Sequence, residues 1–148
     1  PYEVWETGRY RTKTDIDFDH ILSGEVKRNR DGTSRAVGGH YRRSPNVRVL
    51  EETGVADANG VTKGRIAIRG PDGQWVNKNA ETTFFPDHWS RRKTEQEIAS
   101  AFQNSTRRTT PTGGSYWTGT TSSGVPVTGY YNPAGTGAST AFPIYRTR

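Results

Sequence analysis

The sequence predicts an α+β protein in which antiparallel strands pack against one helix or a few. Three observations carry that expectation. Pro71-Asp72-Gly73 separates two runs of β-branched and aromatic alternation, where proline presets φ and glycine accepts a positive one. A stretch following Ser90 places Ile98, Ala101 and Phe102 at helical spacing. The chain then closes on short strand-like runs broken by turn segments, TSSG at 121–124 and NPAGTG at 132–137.

In chain order, residues 1–14 alternate aromatic and charged side chains without periodicity and read as an N-terminal extension or linker. Asp15 to Leu22 forms a short helix, with Thr14 as N-cap and Ile16, Ile21 and Leu22 on its apolar side. The basic, glycine-punctuated segment 27–39 reads as a mobile or ligand-facing loop. Strands follow at Asn46 to Leu50, Gly64 to Arg69, Gln74 to Val76 and Thr82 to Phe85, with Lys78 just past the PDG hairpin. Ser90 caps the one convincing helix, and 104–115 is a linker-like loop. Tyr116 to Thr118, Val125 to Tyr131 and Ser139 to Tyr145 complete the strands.

Composition bounds the function. With 148 residues, the chain has the size of one domain or two small lobes. Only 30% is apolar, but an 11% aromatic share supplies area for a modest core. The net charge of +6 favours a polyanionic partner. No apolar run is long enough to span a bilayer as a helix. The absence of cysteine removes disulfides, thiolate metal sites and a cysteine nucleophile. Pro1 in place of a start methionine reads as the mark of a piece excised from a longer protein.

Three histidines are present: His20, His40 and His88. Two imidazoles brought together can cleave RNA, one taking the 2′-OH proton and the other protonating the departing 5′-oxygen. A lysine such as Lys78 can stabilise the charge that builds on phosphorus. His40 directly follows Gly38-Gly39, which would let a substrate backbone come close. The ordinary role of any one histidine or lysine is structural or solvated, so spacing alone assigns none of them. Asp15, Asp17 and Asp19 superficially suggest a calcium loop, but the glycine and distant glutamate of an EF-hand are missing. The arginine pairs 42–43, 91–92 and 107–108 are solvated faces or phosphate contacts. Aromatics at strand ends, Tyr130 and Phe142 among them, are core residues or base-stacking platforms.

As a whole, the sequence resembles the bacterial EndoU nuclease domains at the C-termini of polymorphic toxins, such as contact-dependent inhibition and Rhs proteins. Five blocks in order carry the likeness: DHILSGE at 19–25, GGHY at 38–41, GQWVNKNAETTFFPDHWS at 73–90, WTGTTSSGVPVTGYY at 117–131 and TAFPIY at 140–145. The resemblance implies an EndoU-like nuclease fold over 1–148, with a catalytic cleft between two small lobes. It also implies a His-His-Lys triad. His40 is then the general base, His20 the general acid and Lys78 the transition-state stabiliser. The products are a 2′,3′-cyclic phosphate and a 5′-hydroxyl, with no cofactor or metal.

By the same resemblance Gly39, Thr82, Thr140 and Phe142 contact substrate, Thr82 and Phe142 at the base and Thr140 beside the scissile phosphate. Phenylalanine stands at 142 where related nucleases often have tyrosine, which keeps stacking and loses a phenolic hydrogen bond. His88 stays structural. The implied setting is a secreted effector acting in the cytoplasm of target bacteria. Its substrate is RNA, tRNA foremost, and a cognate immunity protein blocks the cleft. The competing expectation is a non-catalytic basic RNA-binding module; a weaker one is a metal-dependent DNase built on the aspartates before His20.

Overall fold

A computed structural model of the chain describes residues 16–147. The extension 1–14, the Thr14 cap and Asp15 lie outside the described residues. The architecture is α+β. Among the described residues, three antiparallel sheets combine with one α-helix and one wide helical turn.

The wide turn spans Asp19–Ser23 and replaces the short helix expected to start at Asp15. Gly24 N–H reaches the carbonyls of both Asp19 and His20, at 3.0 and 3.1 Å, so the last turn is π-like. Asp17 Oδ1 accepts His20 N–H at 3.2 Å and satisfies an orphan donor at its start. Ile21 and Leu22 are fully buried, and they anchor the turn.

Next come β1 (Glu25–Arg28) and β2 (Ser34–Val37), an antiparallel hairpin where the sequence reading expected a loop. Its turn is closed by Gly32 N–H on Asn29 O and Asn29 N–H on Thr33 O. A second sheet contains β3 (Val47–Gly54), β4 (Thr62–Arg69) and β5 (Trp75–Asn77), and β6 (Thr82–Phe84) also pairs with β4. The PDG turn joins β4 to β5 as expected, and Lys78 follows immediately. Strands β3 and β4 run longer than the apolar alternation indicated, and β3 carries two register shifts along β4.

Helix α1 (Arg91–Gln103) begins where expected, with Ser90 Oγ accepting Lys93 N–H at 3.0 Å. The third sheet has the order β10-β9-β8-β7, built from β7 (Thr106–Thr109), β8 (Ser115–Thr120), β9 (Pro126–Gly129) and β10 (Phe142–Pro143). Strand β7 falls in the expected 104–115 linker, and β10 reduces the expected strand from Ser139 to Tyr145 to two residues.

Two apolar cores result. The larger gathers Ile21 and Leu22 of the wide turn, Ile98 and Ala101 of α1, and Trp117, Val125 and Val127 of the third sheet. The smaller places Ala36 of the hairpin on Val47, Ile66, Ile68 and Phe84 of the second sheet. Strand β10 lies against β6, so the second and third sheets meet beside the ends that carry the candidate site.

One buried carboxylate ties α1 to the turn between β8 and β9. Glu97 is 4% exposed and accepts Lys93 Nζ and Ser122 Oγ, each at 2.9 Å, and Ser123 N–H at 3.0 Å. Burial alone would raise its pKa; the hydrogen bonds from Lys93, Thr121, Ser123 and Ser122 instead pull it down to about 2. Glu97→Gln should therefore lower unfolding free energy by about 2 kcal/mol at neutral pH in urea titrations. Because the folded pKa lies below the ordinary carboxyl value of 4.5, this contribution is present above pH 4.5 and fades as pH falls towards 2. An equal deficit in E97Q at pH 7 and pH 2 would contradict the assignment.

Candidate active site

A hollow of about 520 Å³ opens where the wide turn, the β1–β2 hairpin, the β5–β6 segment and the β9–β10 ends meet. His20, His40 and Lys78 all line it. Residues more than 50 positions apart in sequence are brought together by backbone pairing. Gly39 N–H reaches Ile21 O at 3.1 Å, His40 N–H reaches Ile21 O at 2.7 Å and Tyr41 N–H reaches Leu22 O at 3.3 Å. Phe85 N–H then bonds His40 O at 3.0 Å and attaches β6 to the same segment.

The two glycines before His40 serve this approach. A Cβ on Gly38 would stand 2.0 Å from His20 O, and Gly38 has a φ of +77°. A Cβ on Gly39 would meet Ile68 Cδ1 at 2.6 Å, in the smaller core. Gly39, expected to contact substrate, does not line the hollow. Its missing side chain makes room for the protein's own packing, and Gly38 is the glycine that lines the hollow.

His40 is 6% exposed. Its Nδ1 lies 2.7 Å from Thr83 O, and since a carbonyl only accepts, Nδ1 carries the proton. In the neutral ring Nε2 is then an acceptor. Burial, reinforced by the charges of Lys78 and His20 and opposed by the Thr83 hydrogen bond, pushes the His40 pKa down to about 3. Phe142 stacks on the imidazole, with centroids 5.6 Å apart and planes 25° apart. That aromatic was expected against a base; here one face of it supports His40, while the residue also lines the hollow.

His20 is held differently. Its Nδ1 faces the Glu25 carboxylate at 2.8 Å. That hydrogen bond is the main reason Glu25 sits below the ordinary carboxyl pKa, so the acceptor is ionised at neutral pH. Lys78 Nζ donates to Gly38 O at 3.0 Å, and burial lowers its pKa to about 8. The three basic groups share a cleft also lined by Asp17, Glu25 and Glu81, of which Glu25 contacts the His20 ring.

Of the remaining expected contacts, Thr140 lines the hollow. Thr82 does not: it is fully buried, and strand alternation gives the cleft-facing position to Thr83. His88 is exposed, packs edge-on to Trp89 and lies outside this hollow. The arginine pairs do not line it either. Arg42 is engaged by Glu52, Asp87 and Thr62, Arg43 by Trp89 O, Arg91 by Asp19 and Glu95, and Arg107 by the Tyr131 ring. Among the aspartates before His20, Asp17 caps the wide turn and Asp19 pairs with Arg91.

Residues that the sequence reading did not single out also matter here. Glu25 orients His20; its signal was its place on the strand directly after the turn. Lys27 and Arg35 are the cleft's other cations. Of the aromatics expected as core or stacking platforms, Tyr130 is 53% exposed and lines the hollow.

Two imidazoles with opposite hydrogen-bond partners beside a half-buried amine define a site for proton transfer around an anionic centre. The family model for bacterial EndoU nuclease matches residues 14–145. The chain belongs to that family and is an endoribonuclease. No curated protein and no solved structure matches the chain.

The burial of His40 has a stability consequence. Its folded pKa of about 3 lies below the ordinary 6.5, so between those values the unfolded chain binds a proton that the folded chain does not. This contribution to stability is present above pH 6.5 and is lost as pH falls towards 3, at about 1 kcal/mol per pH unit. His40→Asn should flatten the acid-side decline in urea midpoints over that window. An unchanged slope would show that His40 titrates normally.

Proposed function

We propose that the chain cleaves RNA by transesterification without a required metal, using His40 as general base, His20 as general acid and Lys78 as the stabiliser of charge on phosphorus. The observation that carries this reading is the contrast between the two imidazoles. His40 is buried, neutral and locked with Nδ1–H on a carbonyl, which leaves its Nε2 lone pair as a proton acceptor. His20 has the Glu25 carboxylate on Nδ1 in place of a carbonyl, and in the proposed role its Nε2–H is the donor.

In the proposed step, Nε2 of His40 takes the 2′-OH proton as O2′ attacks phosphorus. The bond from phosphorus to O5′ breaks, and His20 delivers its Nε2 proton to that oxygen. The products are a 2′,3′-cyclic phosphate and a 5′-hydroxyl, with His40 left protonated and His20 deprotonated until exchange with water restores both. Lys78 lies beside the charge that develops and is mostly protonated below pH 8. The anionic phosphate also offsets the cationic charges that depress His40, making it a stronger base once RNA is bound. Thr83, Thr140 and Tyr130 line the same hollow and are suited to contact the flanking sugar and base.

The biological setting we propose is interbacterial competition. It rests on the resemblance of the sequence blocks to toxin C-terminal domains and on the +6 charge. RNA, with tRNA foremost, is then cut in the cytoplasm of a target bacterium, while an immunity protein occludes the cleft in the producer. Sequencing of cleavage junctions in cells expressing the chain tests the substrate: junctions gathered in tRNA support it, and cuts scattered through all RNA replace it with a general RNase.

Purified enzyme should cleave RNA in EDTA, and His20→Ala, His40→Ala and Lys78→Ala should each lower kcat/KM by about 100-fold or more. Undiminished cleavage by all three variants would remove these roles. The acid is separable from the base with a 3′-phosphodiester carrying a p-nitrophenyl leaving group, which departs without a proton. H20A should recover on that substrate, whereas H40A should not. Salt-dependent RNA binding without any cyclic-phosphate product would instead make the chain a binding module.

A further inference from the structure

We infer that the β1–β2 hairpin is a binding subsite for phosphates of the RNA segment on the 3′ side of the cut, with Lys27 and Arg35 as the residues that hold it. The inference rests on the roles proposed for His20 and His40 and adds the direction in which the strand passes through the cleft.

Strand pairing sets one opposite residue against another: Glu25 faces Val37, and Lys27 faces Arg35. Alternation puts these four on one side of the hairpin, and all four line the cleft. The intervening pair, Val26 and Ala36, turns the other way into the smaller core. The hairpin is therefore fixed by its apolar side while its other side forms a wall of the cleft.

Along that wall the charges are ordered. Glu25 Oε2 meets His20 Nδ1 at 2.8 Å and Lys27 Nζ at 3.7 Å, so Lys27 begins where His20 ends. Arg35 leans the other way, with Nη1 donating to Asn29 Oδ1 near the hairpin turn. That partner is a neutral amide, which leaves the guanidinium charge available to an anion. Both side chains are open to solvent, so a phosphate reaches them without the cost of burying an unpaired charge.

Direction follows from the chemistry. The departing O5′ belongs to the nucleotide on the 3′ side of the cut, and His20 is the group that protonates it. His40, with Phe142 stacked on it, holds the nucleotide that bears the attacking 2′-OH. A chain that leaves past His20 meets Lys27 first and Arg35 next. A guanidinium matches the phosphate fork, and an ammonium acts as a point charge beside it.

The test uses RNAs that share one cleavable dinucleotide: the bare dinucleotide, one extended only on the 3′ side and one extended only on the 5′ side. In the unaltered enzyme, the 3′ extension should raise kcat/KM over the bare dinucleotide by about tenfold, mainly through KM, and the gain should shrink as salt rises. In Lys27→Gln/Arg35→Gln that ratio should fall to near one, with the 5′-extension ratio as comparison. Arg35→Gln alone contacts neither Glu25 nor His20 and should lower the same ratio, at an unchanged Tm.

A loss confined to the 5′-extended substrate overturns the assignment, because it reverses the strand direction. An equal proportional loss on all three substrates also overturns it, because it reduces the hairpin to general charge. An unaltered enzyme that cleaves RNA but gains nothing from a 3′ extension removes this subsite alone. One that cleaves no RNA at all removes the proposed function as well.

Discussion

The whole site depends on one close backbone approach. Gly38 passes so near the His20 carbonyl that no side chain can stand between them. The following residues then bond in succession to Ile21 and Leu22, the two fully buried anchors of the wide turn. Both histidines are carried by the two segments so joined, and their relative position is fixed by main-chain hydrogen bonds rather than by side-chain contacts. Lys78 joins the same junction through Gly38 O, and β6 joins it through His40 O. A perturbation at this point reaches all three basic groups at once.

That geometry concentrates basic groups where burial opposes their charge. His40 gives up its proton and Lys78 is left close to doing so. The cleft thereby stores an unfavourable electrostatic arrangement, which under the proposed function an entering phosphate relieves. Glu97 shows the opposite use of the same physics. There, a buried carboxylate surrounded by donors is held ionised and joins helix to sheet, with no place in the cleft. The contrast separates functional strain from structural cement in a chain whose 30% apolar content leaves little surplus core.

The elements most legible in the sequence were those with a local cause: the PDG hairpin, the Ser90-capped helix and the lysine that follows β5. The elements missed have no burial pattern to read. Strand β7 is exposed at every position and is held by its ladder to β8. The β1–β2 hairpin hides two inward residues among charges, although Asp31-Gly32 at its turn is a recognised hairpin signal. Within the site, the blocks located His20, His40 and Lys78, which the structure brings to one hollow. Of the neighbours expected with them, Thr140 and Phe142 line that hollow; Thr82 and Gly39 do not, while the adjacent Thr83 and Gly38 do. Adjacent strand residues face opposite sides, so assigning a block to a site leaves the inward-facing residue undetermined until the register is known.

The register also explains why two identical side chains can differ in role. His20 is the second residue of the wide turn, five positions before Glu25, which opens β1 and brings a carboxylate to Nδ1. His40 instead meets the edge of β6, where the only acceptor in reach of Nδ1 among the described partners is the Thr83 carbonyl. A carbonyl fixes the tautomer without stabilising a positive ring as strongly as a carboxylate does, and burial then removes the proton. The proposed division into base and acid thus rests on which strand each histidine is laid against, a property of the fold rather than of the residues themselves. It also orients the cleft, since the hairpin that supplies Glu25 continues outward with Lys27 and Arg35 on the same face.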